Sequence, residues 1–330
     1  MAPRFVIGID LGGTKLAGGL VDQDLRVHHR VQRPVDGRDP LTLLDSVQNA
    51  AQELINEAPG EVAAVGFGIP ARIDRRTGTS VVAINLPLDD LPFEALMAER
   101  LDLPVAVDND GNVAALAEHR GGAAVGVDDM LLLTIGSGIG GGLILNGQLY
   151  RGSIGSAAEL GHMVIALDGP PCPGNCPNNG CLEAMASGAA LAREARQFAA
   201  ERPDTALGRA LSAGRELDGR LVTELAYDGD GAALEALELI AMRLGVALSN
   251  YVNIFNPEMI VLGGGVMAAG EMILGPVRTQ IAQRALPPSR DNVSVVPAYF
   301  GPEAGMIGAA ALAFDVLDDN TSDGNAEEAK

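Results

Sequence analysis

The chain has no tryptophan, and only seven phenylalanines and four tyrosines among 330 residues. A carbohydrate site built on indole stacking is excluded, so any sugar here must be held by hydrogen bonds. Lysine is almost missing as well, confined to Lys15 and Lys330, and the formal charge is −20. That balance removes the basic face that nucleic acid or an anionic membrane requires. No apolar run approaches the roughly 20 residues of a membrane span, and no basic, apolar leader precedes the strand-like MAPRFVIGID. A cytoplasmic protein is expected. In that compartment three cysteines placed within ten residues, Cys172 to Cys181, point to a metal rather than to disulfides.

Apolar residues, by contrast, make up 47% of the chain, and there are 42 glycines. The length exceeds what one core normally supports, so two domains are expected. Strand-like and helix-like stretches alternate, which favours an α/β fold. Phe5–Ile9, Leu16–Val21 and Val27–Val31 read as a meander whose first turn is Asp10-Leu-Gly-Gly-Thr-Lys15. A helix at 40–57, a strand at 62–68 and a strand at 105–107 follow, the last running into Asp108-Asn-Asp-Gly-Asn112. The pattern then restarts. Met130–Ile135 leads into Gly136-Ser-Gly-Ile-Gly-Gly-Gly142 and a returning strand, an echo of the first turn that suggests two similarly built halves. Helices are expected at 187–200, 206–213, 221–227 and 232–255. A strand at 259–262 should enter Gly263-Gly-Gly265, and a last helix should end at Phe314. The final sixteen residues hold six acids and one lysine and are expected to be disordered.

The first glycine turn imitates a Walker A loop, but Thr-Lys replaces the required Lys-Ser/Thr and a strand follows. It still offers backbone N–H groups to phosphate beside a carboxylate, Asp10, which is tolerable there only with Mg²⁺ between them. Gly136, Gly138 and Gly141 formally satisfy the dinucleotide fingerprint, yet that motif must open a helix. A strand comes next instead, so NAD is rejected. Either turn alone is a common structural hairpin. Two of them together with Gly263–Gly265 make a three-sided phosphate cradle. Asp108 and Asp110 stand where helix capping would place an acid anyway. One of them, Asp110 in the first instance, is a candidate general base toward a substrate hydroxyl that Asn109 would orient. Hydroxyl, base, phosphate cradle and Mg²⁺ together describe phosphoryl transfer.

His162, Cys172, Cys176 and Cys181 supply the number and type of ligands that a closed, structural zinc site takes. Cys-x3-Cys is not the redox Cys-x-x-Cys, which leaves buried free thiols as the alternative. Glu159 and Glu183 flank this loop. A metal that folds it would also fix where the two carboxylates point.

Six segments in order resemble the signatures of the ROK family of sugar kinases, and within it the bacterial glucokinases. They are Asp10-Leu-Gly-Gly-Thr-Lys15, Val107-Asp-Asn-Asp110, Leu133–Gly142, Glu159-Leu-Gly-His162, Gly180-Cys-Leu-Glu183 and Ile260–Gly265. The resemblance covers about Arg4 to Phe314. It implies an α/β, two-domain actin-like ATPase (sugar kinase) fold with a cleft between the domains. It implies Asp110 as the base for the sugar 6-hydroxyl, with Asn85, Asn109, Asp110, Glu159, His162 and Glu183 holding the hexose. Asp10, Gly12, Gly13, Thr14, Lys15, Ser137, Gly138, Gly264 and Gly265 would contact the Mg²⁺-nucleotide. ATP, Mg²⁺ and a structural Zn²⁺ are the implied cofactors, and a homodimer or homotetramer the implied assembly. Three departures stand out. Cys172 and Cys176 lie two residues farther apart than usual in the family. Ala71 and Ala158 replace typical glycines, and no tryptophan follows the Asn-Leu-Pro segment.

The expected domains are 1–118 with 301–316, a larger one at 119–300, and a tail at 317–330. The expected activity is ATP-dependent phosphorylation of a hexose 6-hydroxyl, with glucose first. N-acetylglucosamine, N-acetylmannosamine and fructose are the alternatives, and a polyphosphate donor fits an acidic protein poorly. A non-catalytic sugar-sensing regulator is the rival from another class. Such members carry a DNA-binding segment before the first glycine turn, where nine residues stand here.

Overall fold

The computed structural model describes residues 4–35, 39–83 and 86–327, with side chains up to 317. In chain order the elements are β1 (Phe5–Leu11), β2 (Lys15–Asp22), β3 (Val27–Pro34), α1 (Pro40–Asn56), β4 (Val62–Ile69), β5 (Ala71–Asp74), β6 (Thr79–Ala83), α2 (Phe93–Leu101), β7 (Val105–Asn109) and α3 (Asp110–Gly121). Then come β8 (Met130–Ile135), β9 (Ile139–Leu145), β10 (Gln148–Leu149), α4 (Leu182–Ala186), α5 (Gly188–Glu201), α6 (Ala206–Ser212), α7 (Gly219–Tyr227) and α8 (Gly231–Phe255). The chain closes with β11 (Met259–Gly263), α9 (Glu271–Arg284), α10 (Ser289–Asn292), β12 (Ser294–Pro297) and α11 (Ala304–Glu327). It divides into two compact units. The first comprises Met1–Gly126, Gly142–Ala158 and Tyr299–Lys330, the second Val127–Gly141 and Glu159–Ala298.

The first unit is built on a sheet of order β3-β2-β1-β4-β7, with β1, β4 and β7 parallel. Alternation along β1 sorts its side chains to two faces. Phe5, Ile7, Ile9 and Leu11 share a core with Leu43, Val47 and Leu54 of α1 and Phe93 and Met97 of α2. Each such fully buried side chain contributes about 1.5–3 kcal/mol. Asp39 caps α1 by accepting from Thr42 N at 3.0 Å, and Pro40 supplies the fixed first turn. The other face meets α11. A Cβ on Gly8 would stand 2.0 Å from Met306 O, so only glycine lets this helix lie so close to β1. Asp10 continues that face, and the first turn of α11 again yields to it. A Cβ on Gly305 would stand 2.5 Å from Asp10 Cγ.

The second sheet runs β10-β9-β8-β11-β12, with β8, β11 and β12 parallel. In the second unit α8 packs on α9, α5 and α4. Its residues Leu237, Leu244 and Leu248 are fully buried, as are Leu131, Ile260 and Leu262 of the sheet. Residues 136–138 and 263–265 leave adjacent parallel strands at the same end of this sheet, because Thr134 is in register with Gly263.

Four differences from the sequence reading are physical. Residues 119–126 and 142–158 group with the first unit, where an ion pair between Arg151 and Asp108 ties the second stretch down. The glycine turn after β8 is short, because β9 already begins at Ile139 and takes Gly140–Gly142 into the ladder. The β5–β6 hairpin escaped notice because its strands are brief and carry Arg72 and Asp74 among the apolar residues. Lastly, α11 continues past Phe314, and Val316 and Leu317 still pack against the buried clusters that include Leu116 and Leu312, and Val6 and Val21, respectively. Among the described residues no helix is long and apolar enough to cross a membrane.

Candidate active site

In the first unit the end of β7 and the start of α3 carry the acid-amide run. Asp108 is buried and fully engaged. Its Oδ1 accepts from Asn109 N and from Asn112 Nδ2, both at 2.7 Å, and its Oδ2 faces Arg151 Nε at 2.5 Å. Asp110, half-buried, opens α3 and accepts from Gly111 N at 2.9 Å. It sits at the positive end of the helix, where a carboxylate is stabilised. Asp108 is thus taken up by the fold itself, whereas Asp110, the candidate base from the sequence, stands at the helix start. Asn109 is the N-cap of α3, accepting from Gly111 N at 2.9 Å, while its Nδ2 donates to Ala71 O at 3.3 Å. One amide hydrogen is left to address a substrate. Ala71 is thus a backbone rest for Asn109, and its methyl is buried.

Asp10 ends β1 on the side of α11. Burial first, then the nearby charge of Asp110, push its carboxyl up to about 7, with Lys15 pulling the other way. A carboxyl held back from ionising by burial and by a neighbouring carboxylate suits a divalent cation better than a bare phosphate. Gly12 N donates to Lys15 O at 2.9 Å, closing the turn, and Gly13, Thr14 and Lys15 are exposed. Asn85 lies outside the described residues.

In the second unit the cysteine loop is drawn together by backbone bonds. Ile165 N donates to Gly180 O at 2.9 Å, Cys172 N to Asn178 O at 2.9 Å and Leu182 N to Met163 O at 2.8 Å. The ligand atoms of His162, Cys172, Cys176 and Cys181 all lie within 4.8 Å of one another. A tetrahedral zinc with ordinary bond lengths requires S···S edges of about 3.8 Å and S···N edges of about 3.6 Å. Cys176 Sγ to Cys181 Sγ measures 3.8 Å, and Cys172 Sγ to His162 Nδ1 measures 3.4 Å. The residues fit the metal, and the widened Cys-x3-Cys spacing is absorbed by the loop. Burial raises the thiols of Cys172 and Cys181, whereas the Asn178 backbone lowers Cys176. A bound cation would take the place of the thiol protons.

With Nδ1 turned to the sulfurs, His162 presents Nε2 to Glu159 Oε2 at 3.8 Å. Tyr251 of α8 donates to Leu160 O and so fixes the turn between these two residues. Ala158, just before Glu159, holds φ at 64°, a left-handed position that glycine occupies more easily. Glu183 lies on α4, two residues after Cys181, which is that helix's N-cap. Its Oε2 accepts from Ile139 N at 2.8 Å. Ser137 is exposed at the tip of this turn. Gly264, at φ 90°, passes so close to Ile135 that a Cβ would meet its backbone at 2.5 Å, and Gly265 is exposed beside it. The second and third glycine segments are therefore neighbours, and the first belongs to the other unit. Sequence reasoning missed two anchors, Arg151 and Tyr251. Neither carries a local motif.

The family profile described as ROK matches residues 6–316. The chain belongs to the ROK family. It is 35% identical to a glucokinase of Halalkalibacterium halodurans, covering 94% of this chain and 96% of that one. A glucokinase of Thermotoga maritima is 34% identical, with 93% and 96% covered. Among solved structures, a ROK family glucokinase from Streptomyces griseus in complex with glucose and AMPPNP has a TM-score of 0.82 at 34% identity, over 94% of this chain and 99% of that chain. The fold is thus the mixed α/β, actin-like ATPase fold of ROK sugar kinases. ROK relatives also include a xylose repressor of Caldicellulosiruptor bescii, 28% identical, 77% of whose length is covered.

Proposed function

We propose that this ROK protein is an ATP-dependent hexose kinase of the glucokinase type, transferring the γ-phosphoryl group to the 6-hydroxyl of glucose. One observation carries the reading. Residues typical of the chemistry stand in a chain that matches glucokinases over 94% of its length, one of them solved with glucose and AMPPNP. Asp110 accepts the 6-hydroxyl proton as the O6–P bond forms and the bond from phosphorus to the departing ADP oxygen breaks. The remaining amide hydrogen of Asn109, the carboxylates of Glu159 and Glu183 and the outward ring nitrogen of His162 hold the other hydroxyls, with Asn85 completing the set. Asp10 would hold Mg²⁺, which supplies charge neutralisation at the phosphates. Gly12 closes the first turn, and Gly13, Gly138, Gly264 and Gly265 take the nucleotide through backbone N–H groups, with the hydroxyls of Thr14 and Ser137 and the ammonium of Lys15 beside them. Zinc held by His162, Cys172, Cys176 and Cys181 is structural, because the tetrahedron is closed. A homodimer or homotetramer completes the reading, and sedimentation measures it.

The test is a coupled assay of purified protein with ATP and Mg²⁺ against glucose, fructose, N-acetylglucosamine and N-acetylmannosamine. Glucose should give the highest kcat/KM. Equal or better turnover of an N-acetyl sugar overturns the glucose assignment. Asp110→Asn should keep the fold and lose about 10²–10⁴-fold in kcat. Near-normal kinetics in that variant remove the assigned base.

A further inference from the structure

We propose that Glu183 is a positioning residue for the glycine turn between β8 and β9, and that through it hexose and nucleotide affinities are coupled. The proposal rests on the reading just given, in which Glu183 receives a sugar hydroxyl and the Ser137 turn receives phosphate. Three contacts carry it. Glu183 Oε2 accepts from Ile139 N at 2.8 Å, a charge-assisted bond to the backbone that leaves the turn. The same oxygen lies where a side chain at Gly138 would begin, since a Cβ there would stand 2.4 Å away. The far end of the turn is gripped from the same side, because Gly188 N donates to Gly136 O at 2.7 Å.

The carboxylate stands on a short helix that is fixed at both ends. Cys181, a member of the metal-ligand cluster, is the N-cap of α4. At the other end Arg193 Nη1 donates to Ala184 O at 2.9 Å and Arg243 Nη1 to Met185 O at 3.0 Å. Both guanidinium groups are held by Glu194, at 2.7 and 2.9 Å. Glu183 therefore has a rigid base, and its remaining freedom is rotation about its own side-chain bonds. A hydroxyl donating to its second oxygen removes that freedom and steadies the bond to Ile139. The turn is then already ordered when phosphate arrives. Ordering that one ligand completes is ordering the other no longer costs, so each ligand tightens the other by the same factor.

The experiment uses the full-length zinc-loaded protein, with glucose and ADP as probes. Amide exchange over residues 136–141 is measured without ligand, and the ADP and glucose Kd values are measured singly and together. In the wild type, glucose should tighten ADP about fivefold or more, and ADP should tighten glucose equally. Glu183→Ala should speed exchange at Ile139 about tenfold and bring the coupling factor to one. Glu183→Asp, which keeps the charge but falls one methylene short of the amide, should do the same where the alanine variant fails to fold. Gly138→Ala approaches from the other side. Its new methyl displaces the carboxylate, so a change in the turn should weaken glucose. Unchanged protection at Ile139 in Glu183→Asp, or wild-type coupling in either Glu183 variant, overturns the proposal. A wild type that binds neither glucose nor ADP overturns the hexokinase reading and the coupling with it, while exchange still decides whether Glu183 holds the turn.

Discussion

Arg151 Nε lies 2.5 Å from Asp108 Oδ2, and both side chains are largely buried, at 16% and 6% exposed. The pair joins the segment after β10 to the strand end that presents Asn109 and Asp110. Removing one partner leaves the other as an unpaired charge away from water, which costs about 3–5 kcal/mol. Arg151→Met should lower stability by that amount in denaturant unfolding. Asp108→Asn with Arg151→Met together should cost less than the arginine change alone. A single-variant loss below 1 kcal/mol would show that the pair is not needed.

The carboxyl of Asp10 has a folded pKa of about 7 against 3.8 when exposed. Between these values the folded chain binds a proton that the unfolded chain has released, so stability falls as pH rises. The contribution is fully present below pH 3.8 and is lost as pH passes through about 7. Without divalent cation, Asp10→Asn should be more stable than wild type at pH 8, by up to about 4 kcal/mol, and nearly equal at pH 4. Unfolding measured at both pH values checks this. A variant less stable than wild type at pH 8 contradicts the buried, repelled carboxylate.

Metal analysis of the purified chain should find one zinc per chain, and less than half an equivalent counts against the site. Chelation should lower the melting temperature, because the cysteine loop folds around ligand atoms that otherwise carry protons. Cys181→Ser should have the same effect through loss of a thiolate ligand, since serine is itself a good N-cap for α4.

Ala158 holds a left-handed backbone at φ 64° immediately before Glu159. Relief of that conformation outweighs the added freedom of glycine in the unfolded chain, so Ala158→Gly should stabilise the protein by about 0.5–1 kcal/mol. Hexose KM should change little. A destabilised variant would mean that the methyl packs favourably enough to repay the strained φ.

The amino-acid sequence by itself determined the features that depend on neighbours in the chain. The cluster of His162, Cys172, Cys176 and Cys181 was legible because a loop that could hold a metal draws its ligand atoms from close in sequence. The helix starting at residue 187 and the strands that follow the first two glycine turns were legible for the same local reason, whereas capping was expected of Asp108 or Asp110 and falls to Asn109. Asp110 was already the first candidate base in the sequence, but the pairing of Asp108 with an arginine 43 residues away was not legible, because no motif marks it. Nor was the contact of Glu183 with Ile139, separated by 44 residues, or the raised carboxyl of Asp10, which needs α11 from the far end of the chain against β1. Local spacing fixes which atoms can ligate, cap or turn. Burial and long-range charge exist only once distant segments pack together, and those are what decide which carboxylate is buried against an arginine and which opens the helix beside it.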